Sequence, residues 1–148
     1  CRIADGAAEL SAPGSFACAV AGPLPERCRL TATVEHVLGT RGCGLALRMS
    51  DDLEEGYYIR LEPGRGRLVL DRWPRPGDIP HMVELERPLA LPPGRLLELE
   101  VLLDGTVCEV YVGGEVAMSA RLYDLKGGSW GVFAGEGSAR FSGLTLAG

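Results

Sequence analysis

Three features of this sequence predict an all-β domain built as two packed antiparallel sheets. Its 21 Gly and 10 Pro punctuate it at short intervals. The segments between them alternate apolar and polar with a period of two, not 3.6. No segment carries a convincing amphipathic-helix pattern. At 148 residues, 46% of them hydrophobic, the chain suits one domain over residues 1–148 with a core of its own and has no room for a second. Roughly eleven strands are expected, which favours a sandwich over an α/β architecture, and no fixed-period repeat suggests a propeller or solenoid.

Arg29 to Leu38 is the clearest strand. Leu30, Ala32, Val34 and Leu38 fall on one face and Arg29, Thr31, Thr33 and Glu35 on the other, so one face is buried and one wet. Leu45, Leu47 and Met49 repeat the pattern, and the acidic loop from Asp51 to Gly56 turns the chain into Tyr57-Tyr58-Ile59-Arg60-Leu61 as a hairpin. Pro63-Gly64-Arg65-Gly66 makes the next turn and Arg67 to Asp71 completes a meander, followed by a long loop from Arg72 to Pro80. Leu97, Leu99, Val101 and Leu103 open a second meander. In it Asp104-Gly105 supplies the positive φ angles of a two-residue turn. Val107 to Val112 runs back to Gly113-Gly114, and Glu115 to Leu122 follows. Trp130 to Ala134 and Ala139 to Leu146 close the chain as two strands, and Gly135-Glu136-Gly137 between them reads, like Gly127-Gly128, as a hairpin turn.

The bulk numbers exclude several classes. Fifteen basic against 20 acidic residues give a net charge of -5, and no continuous Lys/Arg stripe could track phosphates, so nucleic acid is not an expected partner. The most apolar stretch, Leu96 to Leu103, is broken by Glu98 and Glu100, which leaves nothing near the roughly 20 residues of a membrane-spanning helix. Cys18, Cys28, Cys43 and Cys108 lie far apart in apolar segments without a Cys-x-x-Cys pair, so core thiols are expected rather than a zinc site. An odd number of cysteines favours a reducing, cytoplasmic compartment over secretion. The opening Cys1, with no Met or apolar leader, reads as an excised or processed start, the alternative being the lipidated terminus of an exported lipoprotein.

A glycosidase needs two facing carboxylates, a hydrolase triad needs a nucleophile, a His and an acid, and a catalytic metal needs clustered ligands. His36 has the inward parity of its strand and His81 ends the long loop, with no nucleophile motif near either, so both read as structural or surface residues. The Gly-rich runs do not follow the strand-Gly-helix order of a phosphate cradle. Asp51, Asp52, Glu54 and Glu55 do not match the spacing of a calcium loop and read as a solvated turn. No catalytic residue, metal ligand or cofactor is therefore assigned. Tyr57 and Tyr58 must face opposite ways, one of them into the core. Trp130, Phe133 and Phe141 read as core.

The candidate site is the long loop, where Asp71, Arg72, Trp73, Arg75 and Asp78 combine charge with an aromatic face between Pro74, Pro76 and Pro80. A Trp between Arg and Asp can stack on a sugar ring while the charged groups bond its hydroxyls. The simpler alternative is that Trp73 packs on the sheet or on a neighbouring domain.

The stretch from Leu97 to Glu115 resembles the signature hairpin of the C-terminal domain of glycoside hydrolase family 32, the invertases, sucrose-6-phosphate hydrolases, levanases and inulinases. The match rests on Asp104, Glu109, Val110, Tyr111, Val112, Gly114 and Glu115. Ser119 to Tyr123, Trp130 to Ala134, Ala139 to Leu146 and Leu68 to Arg72 are similar to its other strands, in the same order, although Gly105 stands where the family often has Arg. The resemblance implies a concanavalin- or lectin-like jelly roll and a non-catalytic module. Such a module packs on and stabilises a five-bladed catalytic propeller in the same polypeptide. The propeller would carry the two carboxylates that hydrolyse sucrose, sucrose-6-phosphate or fructans by a retaining mechanism. In some members the module also forms a homo-oligomer or touches long substrates. The competing reading is an independent lectin-like carbohydrate-binding module, and a small enzyme on the sandwich is the third.

Overall fold

In the computed structural model, which describes residues 2–74 and 85–148, the alternating segments form ten strands among the described residues. They are β1 (Ala8–Pro23), β2 (Arg27–His36), β3 (Gly42–Met49), β4 (Gly56–Glu62), β5 (Arg67–Trp73), β6 (Leu85–Pro88), β7 (Leu97–Asp104), β8 (Val107–Val112), β9 (Val116–Arg121) and β10 (Ser129–Ala147). A single 3-10 turn, Pro63–Arg65, separates β4 from β5. The ladder runs β6-β5-β4-β3-β10-β2-β7-β8-β9, with β1 also on β10, and every pairing is antiparallel.

One hydrogen-bonded ladder makes two layers because β1 and β10 change layer together. Ser129 to Gly135 of β10 pair with β3, whereas Ala139 to Ala147 pair with β2, and β1 follows β10 through both halves. At the change, four steps along β1 from Ala12 to Phe16 face two steps along β10 from Gly137 to Gly135. Gly14 (φ 66°) and Glu136 (φ 48°) take left-handed backbone there. Bulges and bends of this kind let strands turn the corner between packed sheets. The facing surfaces form one core, with Leu45, Leu47, Ile59, Leu61, Leu68 and Leu70 from the first layer against Leu30, Val34, Leu97, Leu99, Val101, Val110 and Phe141 from the second. Each side chain of this size is worth about 1.5–3 kcal/mol when fully buried.

Several expectations change. Trp130 to Ala134 and Ala139 to Leu146 are one strand, and Gly135-Glu136-Gly137 is its bend, not a hairpin turn, because both flanks keep pairing with β1. Gly127-Gly128 is likewise no hairpin: it lies on the connection from β9, which pairs with β8, to β10, which pairs with β1, β2 and β3. Merging two expected strands brings the number below eleven. Leu38 is 81% exposed because β2 ends at His36 and the chain turns before it. The β7–β8 turn is Gly105-Thr106, with Gly105 alone at positive φ (57°).

His36 is buried, with Nε2 at 3.1 Å from the Leu91 carbonyl and Nδ1 at 3.2 Å from that of Val37, a structural position; His81 lies outside the described residues. Cys28, Cys43 and Cys108 are buried, Cys18 is half-buried, and all four are free thiols. Burial pushes the Cys43 and Cys108 thiols up to about 12, which leaves them unreactive. Arg48, buried at φ 53°, donates from its guanidinium to the carbonyls of Leu122 (3.1 Å), Leu125 (2.7 Å) and Gly105. It ties the β9–β10 connection and the β7–β8 turn to the first layer. No helix among the described residues is long and apolar enough to cross a membrane.

A Cβ added at Gly131 would stand 2.3 Å from the Ala19 carbonyl of β1, whereas one at Gly127 meets nothing within 4 Å. Gly131→Ala is expected to lower stability by about 1–3 kcal/mol or more, and Gly127→Ala to leave it unchanged or slightly raised. Urea denaturation of both variants checks the contrast.

Candidate functional site

The outward face of the first layer is not the wet surface that strand alternation normally leaves. β3 is buried along its whole length, and β4 nearly so. Register explains what covers them. One cross-strand row runs Val20–Gly131–Ala46–Tyr58–Asp71 and the next Cys18–Phe133–Gly44–Arg60–Val69–Glu86. In a third, Phe16 faces Gly135 and Gly135 faces Gly42, while Glu62 faces Arg67 on the adjoining pair of strands. Apolar side chains fill the middle of this face, where Ala46, Met49 and Phe133 form a second small cluster with Cys18 and Tyr58. Small residues at Gly42, Gly44 and Gly135 keep its floor low. Gly44 has no substitute, since a Cβ there would lie 2.0 Å from the Ile59 carbonyl.

The result is an open cavity of about 1290 Å³. One end is walled by the loop from Ser50 to Glu55. The Pro63–Arg65 turn, Arg41 on the β2–β3 connection and the bend carrying Phe16 and Glu136 close other sides, and Trp73 and Pro74 form a rim. The Ser50–Glu55 loop is held by its own hydrogen bonds. Ser50 Oγ donates to Asp52 Oδ1 at 2.6 Å, and that oxygen also accepts from the Glu54 amide at 3.0 Å. These bonds hold the Asp52 carboxyl below its ordinary value. Among the described residues no group of three or more His, Cys, Asp or Glu is placed to hold a metal ion.

Glu62 is the hub of the cavity. Its Oε1 accepts from Arg60 Nε at 2.8 Å, its Oε2 from Arg67 Nε at 2.6 Å, and Arg65 stands 3.9 Å away. Arg60 also reaches Asp71 Oδ2 at 3.4 Å, and Arg67 bridges to Glu86. Burial pushes the Glu62 carboxyl up, but hydrogen bonds from Arg67 and Arg60 and their charges outweigh it, and the group sits below its ordinary 4.5. Such pairs hold the guanidinium planes still, so that donors and acceptors stand preformed in a partly dehydrated recess. The four arginines on the wall all have carboxylate partners: Arg41 with Glu136, Arg60 with Glu62 and Asp71, Arg65 with Glu62, and Arg67 with Glu62 and Glu86.

Of the residues singled out in the sequence, Asp71 and Trp73 line this cavity, Asp71 almost fully buried and Trp73 52% exposed. Both lie in β5 and not in a loop, because the β4 ladder continues through Tyr57–Arg72 and Gly56–Trp73. Arg72 has the opposite parity. It points away from the cavity, 3.6 Å from Asp124, with its Nε buried and without a hydrogen-bond partner among the described residues. Arg75 and Asp78 lie outside the described residues. Sequence reasoning missed Phe16, Tyr58, Arg60, Glu62 and Arg67. The sequence leaves Tyr58 open to either face, and Phe133, which its strand pattern places in the core, is buried but in the outward cluster. The available signal was the alternation Tyr58-Arg60-Glu62 opposite Arg67-Val69-Asp71, a charged face on two adjacent strands that both look central.

Residues 11–147 match the family described as glycosyl hydrolases family 32 C terminal. The chain belongs to this family. The family 32 C-terminal fold is shared with a carbohydrate binding module, CBM66, from Bacillus subtilis (TM-score 0.81, 13% identity), over 100% of this chain and 99% of that one. It is shared too with an Aspergillus kawachii beta-fructofuranosidase complexed with glycerol (TM-score 0.72, 16% identity), where 95% of this chain covers 26% of the enzyme. The Caenorhabditis elegans galectin LEC-6 is more distant (TM-score 0.58, 15% identity, 95% and 90% covered). At these identities the likenesses show the fold: a lectin-like antiparallel sandwich. No curated protein matches the chain. The family 32 C-terminal domain is an accessory module of glycoside hydrolases, and this chain is one.

Glu62→Gln removes the charge that three arginines share. It is expected to cost about 3 kcal/mol, as breaking a partly buried ion pair does. Because the folded carboxyl lies below its ordinary 4.5, its contribution is present above that pH and is lost as pH falls through the lower folded value. Unfolding curves from pH 7 down to pH 3 should therefore show a steeper acid loss in the parent than in Glu62→Gln.

Proposed function

We propose that this module binds carbohydrate on the recessed outward face of its first layer, as an accessory domain of a glycoside hydrolase acting on fructosides. The observation that carries this is the partly buried Glu62–Arg60–Asp71 network lying in one cavity with the indole of Trp73. A sugar hydroxyl both donates and accepts, and ion-paired arginines and carboxylates offer both partners within one hydrogen-bond length. The apolar face of a sugar ring finds the exposed indole. Since every arginine on the wall is matched by a carboxylate, the cavity favours an uncharged polyol over a phosphorylated sugar. Family membership and the printed names of the similar structures, a carbohydrate binding module and a fructofuranosidase, support both the ligand class and the parent activity.

A second role, packing on and stabilising a catalytic propeller of the same polypeptide, uses a different surface. It is supported by the region's place in the fructofuranosidase, about a quarter of that chain. The exposed Leu38 also walls a smaller hollow with Pro63, Leu91 and Pro93, the kind of apolar surface that interdomain contacts cover. Hydrolysis would then reside in the propeller.

Calorimetric titration with fructo-oligosaccharides, sucrose and a panel of other glycans tests the binding role. Saturable heat is expected with fructosides, weakened at least about tenfold by Trp73→Ala and lost in Arg60→Ala, with thermal melts confirming that both variants fold. No heat with any glycan would overturn the binding role and leave the packing role standing.

A further inference from the structure

The cavity is larger than one sugar needs. Its volume of about 1290 Å³ exceeds the ~300–1,000 Å³ of ordinary small-molecule sites, and its recognition groups are gathered at two ends. At one end are Asp71 and Trp73, with Trp73 six residues along β5 from Arg67, which faces Glu62. At the other is Phe16, an aromatic 55% exposed on the cavity wall. Between them Gly135 and Gly42 lie side by side on neighbouring strands, with the Phe16 ring beside the first and the aliphatic part of Arg60 over the second.

We infer that the cavity holds an oligosaccharide across two subsites, with Phe16 as the stacking platform of the second. This deepens the carbohydrate-binding reading and rests on it. Phe16 sits on β1 and Trp73 on β5, four strand spacings away through β10, β3 and β4. That is roughly 19 Å at the usual spacing, too far for one ring to touch both. The ring of Phe16 is fixed by its neighbours. It stacks on Phe133 at 5.6 Å between centroids with an interplanar angle of 24°, and Tyr58 meets it edge-on at 6.2 Å. Phe133 is almost fully buried, so it supports one face of Phe16 while the other stays open. A rigid aromatic of this kind offers contact area at little conformational cost. Polar partners for the second sugar stand beside it: Arg41 and Glu136, paired at 2.9 Å, and Ser15 line the same end.

The affinity of the full chain is measured by calorimetry for fructose and for di-, tri- and tetra-fructosides, in the parent, Phe16→Ala and Phe16→Trp. Tyr111→Ala, on the opposite layer, serves as the control. The expected result is an affinity that rises about tenfold once the ligand exceeds one unit, a rise abolished in Phe16→Ala, kept in Phe16→Trp and kept in the control. Phe16→Leu, which retains an apolar contact with Phe133 but no planar face, should behave like Phe16→Ala and separates stacking from loss of packing. Affinity independent of length in the parent, or an undiminished rise in Phe16→Ala and Phe16→Leu, overturns the second subsite while leaving single-sugar binding intact. No binding of any fructoside by the parent overturns both readings together.

Discussion

The bent pair of β1 and β10 is the constraint on which the rest of the molecule depends. β10 is the strand to which β1, β2 and β3 all bond, so both layers hang from it, and its bend sets how they face one another across the core. The bend exists because an unequal number of residues meets at Ala12–Phe16 and Gly135–Gly137, with left-handed backbone at Gly14 and Glu136 absorbing the change of direction. It is stitched to the β2–β3 connection. Thr40 Oγ1 donates to the Ser138 carbonyl at 2.8 Å and accepts from the Ser138 amide at 3.0 Å, and the Arg41 amide donates to the Glu136 carbonyl at 3.2 Å. The same bend delivers Phe16, Gly135 and Glu136 to the cavity, so closure of the sandwich and construction of one cavity wall are a single event.

The other half of the cavity is electrostatic. Placing Arg60, Glu62, Arg67 and Asp71 on adjacent central strands removes them from most of their water. Apolar side chains of the same volume would commonly make a sheet at least as stable. The network is tolerable because Glu62 accepts from two guanidinium groups and Asp71 from Arg60 and the Arg72 amide, and it keeps several hydrogen-bonding groups aimed at a shared recess. That pattern suits recognition better than it suits stability. Its weak point is protonation of Glu62, whose lowered pKa keeps the hub charged until pH falls below the ordinary carboxylate value.

The sandwich itself is neutral about function. The same layers are found in a carbohydrate binding module, in a part of a fructofuranosidase and in a galectin, and function on a shared fold is carried by the site. In this chain the first layer is buried on both sides along β3 and most of β4, with Arg60, Glu62 and Asp71 recessed and Trp73 and Phe16 on the cavity wall. The second layer is ordinary by comparison: its outward residues pair across strands in solvent, Arg27 with Asp104 and Arg29 with Glu100.

The sequence by itself determined the all-β class, the two meanders β3-β4-β5 and β7-β8-β9, most of their turns and the inward residues of β2 and β7, because alternation and turn chemistry are local. It also determined the family, through the β7–β8 hairpin and the strands after it. Asp71 and Trp73 could be singled out because they are chemically conspicuous in a short span. Only the tertiary structure decided that Trp130 to Leu146 is one strand. A Gly-Glu-Gly bend and a hairpin turn look alike locally and differ only in whether both flanks bond to the same neighbour. Only the tertiary structure joined Phe16 to Glu62, residues separated along the chain and brought to one cavity by cross-strand register. It alone turned Arg72 away from its neighbours Asp71 and Trp73, because β5 runs two residues further than turn chemistry suggested and strand parity then sends alternate side chains to opposite faces.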